Sequence, residues 1–292
     1  MEFWFIYAIG AATLAALTTI LAKIGLKEVD SHLATAIRTV VILAFAWLMV
    51  FIVGSQAGFL HTPLRTWVFL ILSGLATGAS WLCYFRALQL GSVKKVVPID
   101  KSSTLLTMLL AFIFLSEPVE IITVGGMALM AAGTWLMLEL KKEPQQNGKG
   151  SYGWLLYAVL AAVFAALTTI LGRIGITGIE ANLGTAIRTL AVLPLSWLMV
   201  FITKGHKKIT AITPKNWAFL LFSGLAAGGS WLFFYRALQL GNASQVVPID
   251  KLSILLTMGF ARLFLGERFS WRCLLGLTLL TVGTLFPIIF TS

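Results

Sequence analysis

The sequence predicts an all-α membrane protein of ten transmembrane helices, arranged as two inverted five-helix repeats. Three observations predict this: the composition, an internal repeat and the placement of the basic residues. Of 292 residues, 59% are hydrophobic and 11% charged, and the mean hydropathy is +0.92. Soluble domains carry about 25% charged residues, so this composition excludes a soluble enzyme, a disordered chain and a disulfide-stapled secreted module. One crossing takes about 20 apolar residues, so ten use about 200 and leave only short connections.

The repeat follows from sliding the chain by about 150 residues, which aligns 1–140 with 151–290 without a gap; about 63 of the 140 pairs are identical. AALTTIL at 15–21 recurs at 165–171, TAIRT at 35–39 at 185–189, RALQLG at 86–91 at 236–241, and VVPIDK at 96–101 at 246–251. The chain therefore reads as a first five-helix repeat (1–140), a polar linker KKEPQQNGKG (141–150) and a second, inverted five-helix repeat (151–292). The expected spans are 3–24, 33–53, 66–86, 96–115 and 120–140, then 153–174, 183–203, 216–236, 246–265 and 270–290. An odd number of crossings per copy turns the second copy upside down. MEFWFIYAIG has no basic stretch before its apolar run, so it is read as a retained first helix rather than a cleaved signal.

The basic residues fit this inversion. Lys27, Lys94 and Lys95 have neutral equivalents Thr177, Ser244 and Gln245. Lys204, Lys207, Lys208, Arg262, Arg268 and Arg272 stand where the first copy has Gly54, Ala57, Gly58, Phe112, Pro118 and Ile122. Each group thus lies in whichever connections face the side opposite the N-terminus. Counted by side, about 15 Lys/Arg fall there and about 3 on the other, which makes that side cytoplasmic and both termini external. The net charge of +11 is explained by these loops rather than by nucleic acid. Cys83 and Cys273 lie in apolar segments without metal-ligand spacing, so neither a disulfide framework nor a metal site is expected, and no cofactor is.

Charges present in both copies need another explanation, because the two members of each pair face opposite sides. They are Lys23/Arg173, Arg38/Arg188, Arg86/Arg236, Asp100/Asp250, Lys101/Lys251 and Glu117/Glu267. Ionisable groups at membrane depth are costly and mark function or pairing. Lys23, Arg38, Arg86, Asp100 and Lys101 should gather at one face, and Arg173, Arg188, Arg236, Asp250 and Lys251 at the other. That arrangement suits two equivalent gates flanking a central site. Asp100 would pair with Arg38, Lys101 or Arg86 when the inner gate closes, and Asp250 would act likewise at the outer one. The alternatives are that the cations snorkel while each Asp caps a helix, or that these charges contact the substrate directly. Pro98 and Pro248, in VVPID, suit either an ordinary helix start or a broken one.

The cavity lining is expected from polar and aromatic residues that mostly repeat: Thr18, Ser80, Trp81, Tyr84, Ser103 and Thr107, with Thr168, Ser230, Trp231, Tyr235, Ser253 and Thr257. The bland reading is that the hydroxyls bond to their own helices. SGLATGASW (73–81) and SGLAAGGSW (223–231) place glycines four apart, a spacing that lets helix backbones approach closely.

YFRALQLGSVKKVVPIDKSSTLLTMLLAFIFLSE (84–117), its twin FYRALQLGNASQVVPIDKLSILLTMGFARLFLGE (234–267) and the Gly-rich last spans VGGMALMAAGTW and LLGLTLLTVGTL resemble the drug/metabolite transporter (DMT) superfamily, specifically EamA-type transporters with two EamA repeats. Glu117 and Glu267 match the family's Glu after span four. The resemblance implies a two-lobed ten-helix carrier, multi-pass in the bacterial inner (plasma) membrane, exporting amino acids or other small metabolites. Characterised ten-helix relatives keep both termini inside, whereas the charge count puts them outside. The PIDK block, with its embedded Asp-Lys pair, is also not the commonest family sequence.

The function expected is therefore a secondary transporter, an exporter of a small polar metabolite (amino-acid-like or an organic anion) that works by alternating access. Repeated basic residues outnumber repeated acids, which favours an anionic solute. The alternatives are a proton-coupled multidrug or cation exporter and a carrier of an anionic lipid-linked substrate. Spans 3–24 and 153–174 contain no acid, which weighs against the first alternative unless Asp100 and Asp250 carry the protons. An enzyme is not expected, because the span-embedded acids are isolated. The expected partners are the small-molecule substrate, the lipid bilayer and, in the alternative, coupled protons. A fused pair supplies both halves, so a monomer is the simplest unit, with a dimer the alternative.

Overall fold

The computed structural model describes residues 3–25, 29–90, 96, 99, 102–137, 153–265 and 270–290. Every described element is helical. In the first copy these are α1 (Phe3–Gly25), α2 (Ser31–Val53), a 3-10 turn (Ser55–Ala57), α3 (Gly58–His61), α4 (Leu64–Leu90), α5 (Ser103–Phe114) and α6 (Ile121–Met137). In the second they are α7 (Gly153–Gly175), α8 (Ala181–Ile202), a 3-10 segment (Gly205–Ala211), α9 (Pro214–Leu240), α10 (Ala243–Lys251), α11 (Ser253–Leu265) and α12 (Trp271–Phe290). Six of them are long and apolar enough to cross a bilayer: Phe3–Ala22, Ser31–Val53, Leu64–Tyr84, Gly153–Gly175, Ala181–Ile202 and Pro214–Leu240. Large apolar side chains such as Phe3, Ile52, Phe222 and Ile289 lie exposed along these and the shorter helices. Hydrocarbon accepts such faces, provided each helix satisfies its own backbone.

The chain divides into two compact units that cut across the repeat. One comprises Met1–Gly78 with Thr168–Glu267, the other Ala79–Leu167 with Arg268–Ser292. In the first unit carboxylates fix the starts of α2 and α8. Asp30 caps α2, accepting hydrogen bonds from the His32 and Leu33 amides at 3.0 and 3.3 Å. Glu180 caps α8 by accepting from the Leu183 amide at 3.0 Å. Such caps satisfy donors that no helical carbonyl can reach.

Both acids also reach into the other copy. Lys208, in the segment after α8, lies 3.7 Å from Asp30, and the Ser55 hydroxyl, just after α2, donates to Glu180 at 3.1 Å. Each copy's second helix is thus held at its start by the loop that ends the other copy's second helix. Asp30/Glu180, like Arg65/Lys215, is a repeated charge beyond the six pairs read from the sequence.

The same reciprocity governs packing. The Ser73 hydroxyl of α4 donates to the Thr168 carbonyl of α7 at 2.6 Å, and Ser223 of α9 donates to the Thr18 carbonyl of α1 at 3.0 Å. Gly74 faces Ala191 and the Arg188 carbonyl on α8, while Gly224 faces Val41 and the Arg38 carbonyl on α2. Exchanging both members for their repeat equivalents turns each contact into its twin.

In the second unit, α6 and α12 meet through glycines. A Cβ at Gly133 would fall 2.5 Å from the Gly276 carbonyl oxygen and 2.6 Å from the Leu280 nitrogen. Backbone cannot step aside as a side-chain tip can, so Gly133→Ala should destabilise by about 1–3 kcal/mol. Gly125 has open space around it, and Gly125→Ala should be neutral or slightly stabilising through helix propensity. Thermal melts in detergent should separate the two; equal melting temperatures would refute the close approach. The same unit holds Ala87, Val96 and Ala158 together with Tyr84, Ile99, Trp154 and Tyr157.

Two elements differ from the sequence reading. The span expected over 246–265 is two helices, α10 and α11, separated at Leu252. Pro248 lies inside α10 rather than at the break. The Leu252 and Leu255 amides instead bond three residues back, to Ile249 and Leu252, so the ladder tightens at the junction. The connections after α2 and α8 contain short helical turns where only polar loops were expected.

Candidate functional site

Arg188 is the centre of the most distinctive polar cluster in the first unit. It sits seven residues into α8, about 10 Å along the helix from its start, and is only 4% exposed. Its Nε donates to the Ser73 hydroxyl at 3.1 Å and its Nη2 to the Thr77 hydroxyl at 2.6 Å. Both acceptors lie one turn apart on α4, so a single helix face meets the Nε and Nη2 groups of the guanidinium. The hydroxyl protons are already committed: Ser73 donates to the Thr168 carbonyl and Thr77 to the Ser73 carbonyl at 3.0 Å. That leaves oxygen lone pairs for the arginine. Thr168 adds its own hydroxyl 3.3 Å from that of Thr77.

Two rings complete the surroundings. The guanidinium carbon lies 4.9 Å from the Trp231 ring centre and 5.0 Å from that of Tyr235, both on α9. Aromatic faces attract a desolvated guanidinium by up to about 2 kcal/mol. Tyr235 can lie there because α7 carries a glycine opposite it; a Cβ at Gly172 would fall 2.6 Å from the ring. Nη1 is buried and has no hydrogen-bond partner. The described contacts of Arg188 are therefore two hydroxyls and two rings, and none is a carboxylate.

The other residues singled out in the sequence are placed as follows. Arg38, the twin of Arg188 on α2, is half-buried and its Nε has no partner. Thr18, the twin of Thr168, has a buried hydroxyl without a partner. Arg236 donates to Gln239 at 2.6 Å, and the Gln239 amide bonds the Ile176 carbonyl at 3.1 Å, which ties α9 to the end of α7. Arg173 is half-buried in the last turn of α7. Asp250 pairs with its neighbour Lys251 at 3.6 Å, at the end of α10. Ser230 donates to the Ala11 carbonyl at 2.9 Å, and Ser253 and Thr257 are half-buried on α11.

In the second unit, Ser80 donates to the Ala161 carbonyl at 2.9 Å and Thr107 to the Ser103 carbonyl at 2.8 Å. Trp81 and Tyr84 are half-buried there, and Arg86 is exposed near the end of α4. Asp100, Lys101, Glu267 and the Lys23 side chain lie outside the described residues.

Sequence reasoning missed Thr77 and Gly172 altogether and treated Ser73 only as packing. The available signal was difference between the copies rather than identity. Thr77, Tyr235 and Gly172 replace Ala227, Phe85 and Ala22 of the other set.

The EamA-like transporter family matches the chain twice, over residues 2–139 and 152–289. The chain belongs to that family. This EamA protein is accordingly a multi-pass membrane transporter. It is 45% identical over 140 residues to the uncharacterized transporter in the cobO 3′ region of Sinorhizobium sp, covering 48% of this chain and 99% of that one. That relative is thus about one repeat long. The Bacillus subtilis transporter YxxF is 25% identical over 221 residues, covering 73% of this chain and 68% of that one. A solved crystal structure superimposes with a TM-score of 0.80 at 18% identity, covering 98% of this chain and 96% of the other, which establishes a shared fold.

Proposed function

We propose that this EamA protein is a secondary transporter that exports a small polar metabolite, amino-acid-like or an organic anion, across the bacterial inner membrane by alternating access. Ten crossings in two inverted halves are part of this reading. What carries it is the reciprocal pairing of the two copies, in which Ser73–Thr168 and Ser223–Thr18 are the same contact made twice. Two inverted halves packed by equivalent contacts can exchange conformations, because each conformation is the other with the halves interchanged. An anionic solute is favoured by the surplus of repeated basic residues and by the buried Arg188.

Solute counterflow into proteoliposomes, offered a uniformly labelled bacterial metabolite extract, tests the reading. Saturable accumulation of a small acid or amino acid supports it, whereas accumulation equal to empty liposomes overturns it.

The gates and the substrate path beside them are assigned in the same reading to Lys23, Arg38, Arg86, Asp100 and Lys101 on one side and Arg173, Arg188, Arg236, Asp250 and Lys251 on the other. Asp250 pairs with Lys251 among the described residues. For the first copy, Asp100→Arg and Arg38→Asp should each cut counterflow about tenfold or more, and the double swap should restore much of it. No rescue in the double variant would remove Arg38 as the partner of Asp100.

A further inference from the structure

Three coordinated differences distinguish the surroundings of the two repeated arginines. Around Arg188 stand Thr77, Tyr235 and Gly172, and the sequence gives Ala227, Phe85 and Ala22 at the positions equivalent for Arg38. Thr77 supplies the acceptor for Nη2, Tyr235 supplies a ring with a hydroxyl, and Gly172 makes room for that ring. The substitutions act together, because a tyrosine at 235 needs the glycine at 172.

The charge balance supplies the second observation. Arg188 is held at Nε and Nη2 and lies over two rings, yet Nη1 is buried without an acceptor. A buried cation lacking a counter-charge is expensive, and an unmet buried donor adds to that cost; Arg38 shares such an unmet donor at Nε, so what sets Arg188 apart is its hydroxyl and ring contacts. An occupant that brings one negative charge and an oxygen acceptor to Nη1 relieves both. One cation balances one anion, so a monoanion fits better than a phosphate dianion. Among its described contacts no acid offers a partner for an ammonium group, so a free carboxylic acid fits better than a zwitterion.

We propose that Arg188 Nη1, beside Trp231 and Tyr235, is the single substrate anchor, taking the carboxylate of a small organic monoacid, and that Arg38 is not a second such site. This rests on the transport reading for its physiological meaning, but binding is measurable without transport.

The test uses purified full-length protein in detergent, titrated with propionate and benzoate, and in parallel with inorganic phosphate, glycine and tetramethylammonium. The readout is the thermal shift of unfolding. The expected result is saturable stabilisation by the two carboxylates, with a half-saturating concentration about tenfold or more higher in Arg188→Met, a loss of about 1.4 kcal/mol or more. Arg38→Met should retain the shift even though counterflow through its gate is impaired. Thr77→Ala/Tyr235→Phe, which recreates the other copy's surroundings while keeping Arg188, should weaken carboxylate binding and covers the case in which Arg188→Met fails to fold.

No carboxylate shift, a shift undiminished in Arg188→Met and in the double variant, or a stronger shift with phosphate, glycine or the cation would overturn the proposal. Binding through Arg188 without any counterflow would instead sink the transport reading and leave the site standing. Counterflow of a carboxylate undiminished in Arg188→Met would do the reverse.

Discussion

Replacing Arg188 by methionine should cut the initial rate of counterflow roughly 30-fold or more, the scale expected when one partner of a buried charged contact is removed. The same variant should melt within a few degrees of the parent when no solute is present. The reason lies in the direction of the hydrogen bonds. Ser73 and Thr77 keep their protons on backbone carbonyls, so losing the arginine strands no donor. The two charged hydrogen bonds and two ring contacts that disappear are offset by no longer burying an unbalanced cation. Methionine also fills much of the same volume against Trp231 and Tyr235. A structural arginine would behave differently: the empty protein would lose many degrees and transport would fall only as far as the folded fraction did. Arg188→Lys separates the two further, because it keeps the charge but cannot reach both hydroxyls and an anion in one plane.

Gly74→Ala is expected to damage both stability and transport, by about 1–3 kcal/mol in the first. Its added carbon would lie 2.7 Å from the Ala191 Cβ and 2.8 Å from the Arg188 carbonyl oxygen. Neither is the end of a flexible chain, so α4 must move away from α8 at the turn that carries Ser73 and Thr77. That movement opens the two hydrogen bonds holding the guanidinium. Gly224→Ala presses on Val41 in the equivalent way, but no Thr77-like acceptor stands at Ala227. The two variants should therefore lose similar stability, while Gly74→Ala loses more transport per folded molecule. Melting curves and counterflow rates normalised to folded protein check this, and equal transport losses would disconnect the Gly74 contact from the arginine.

Much of the architecture was legible because hydrophobic run length and a 150-residue repeat are both local readings. The expected 3–24, 33–53 and 153–174 correspond to Phe3–Gly25, Ser31–Val53 and Gly153–Gly175. The break at Leu252 was not legible, since LSILL continues the apolar pattern and only the hydrogen-bond ladder shows where it tightens. Asp30 and Glu180 escaped notice because they sit in connections, where an acid ordinarily means solvation rather than a clasp on another loop.

The arginine cluster was half legible. A charge seven residues into an apolar helix marks Arg188 and Arg38 alike. Which of them is built to receive something depends on Thr77, Gly172 and Tyr235, brought together from α4, α7 and α9. The packing of α4, α7 and α9 around Arg188 of α8 reveals that these three belong to one place.

The cross-copy exchange of contacts also constrains how the chain is made. Ser223 finds its acceptor at Thr18, 205 residues earlier, and Asp30 waits for Lys208. A ribosome adding about 5–20 residues per second needs roughly 10–40 s to span such a separation. For that interval α1 and α2 sit in the bilayer with their closest partners unsynthesised. The nascent first half is therefore a client awaiting its complement, and delayed or truncated synthesis of the second half should expose it to quality-control proteolysis.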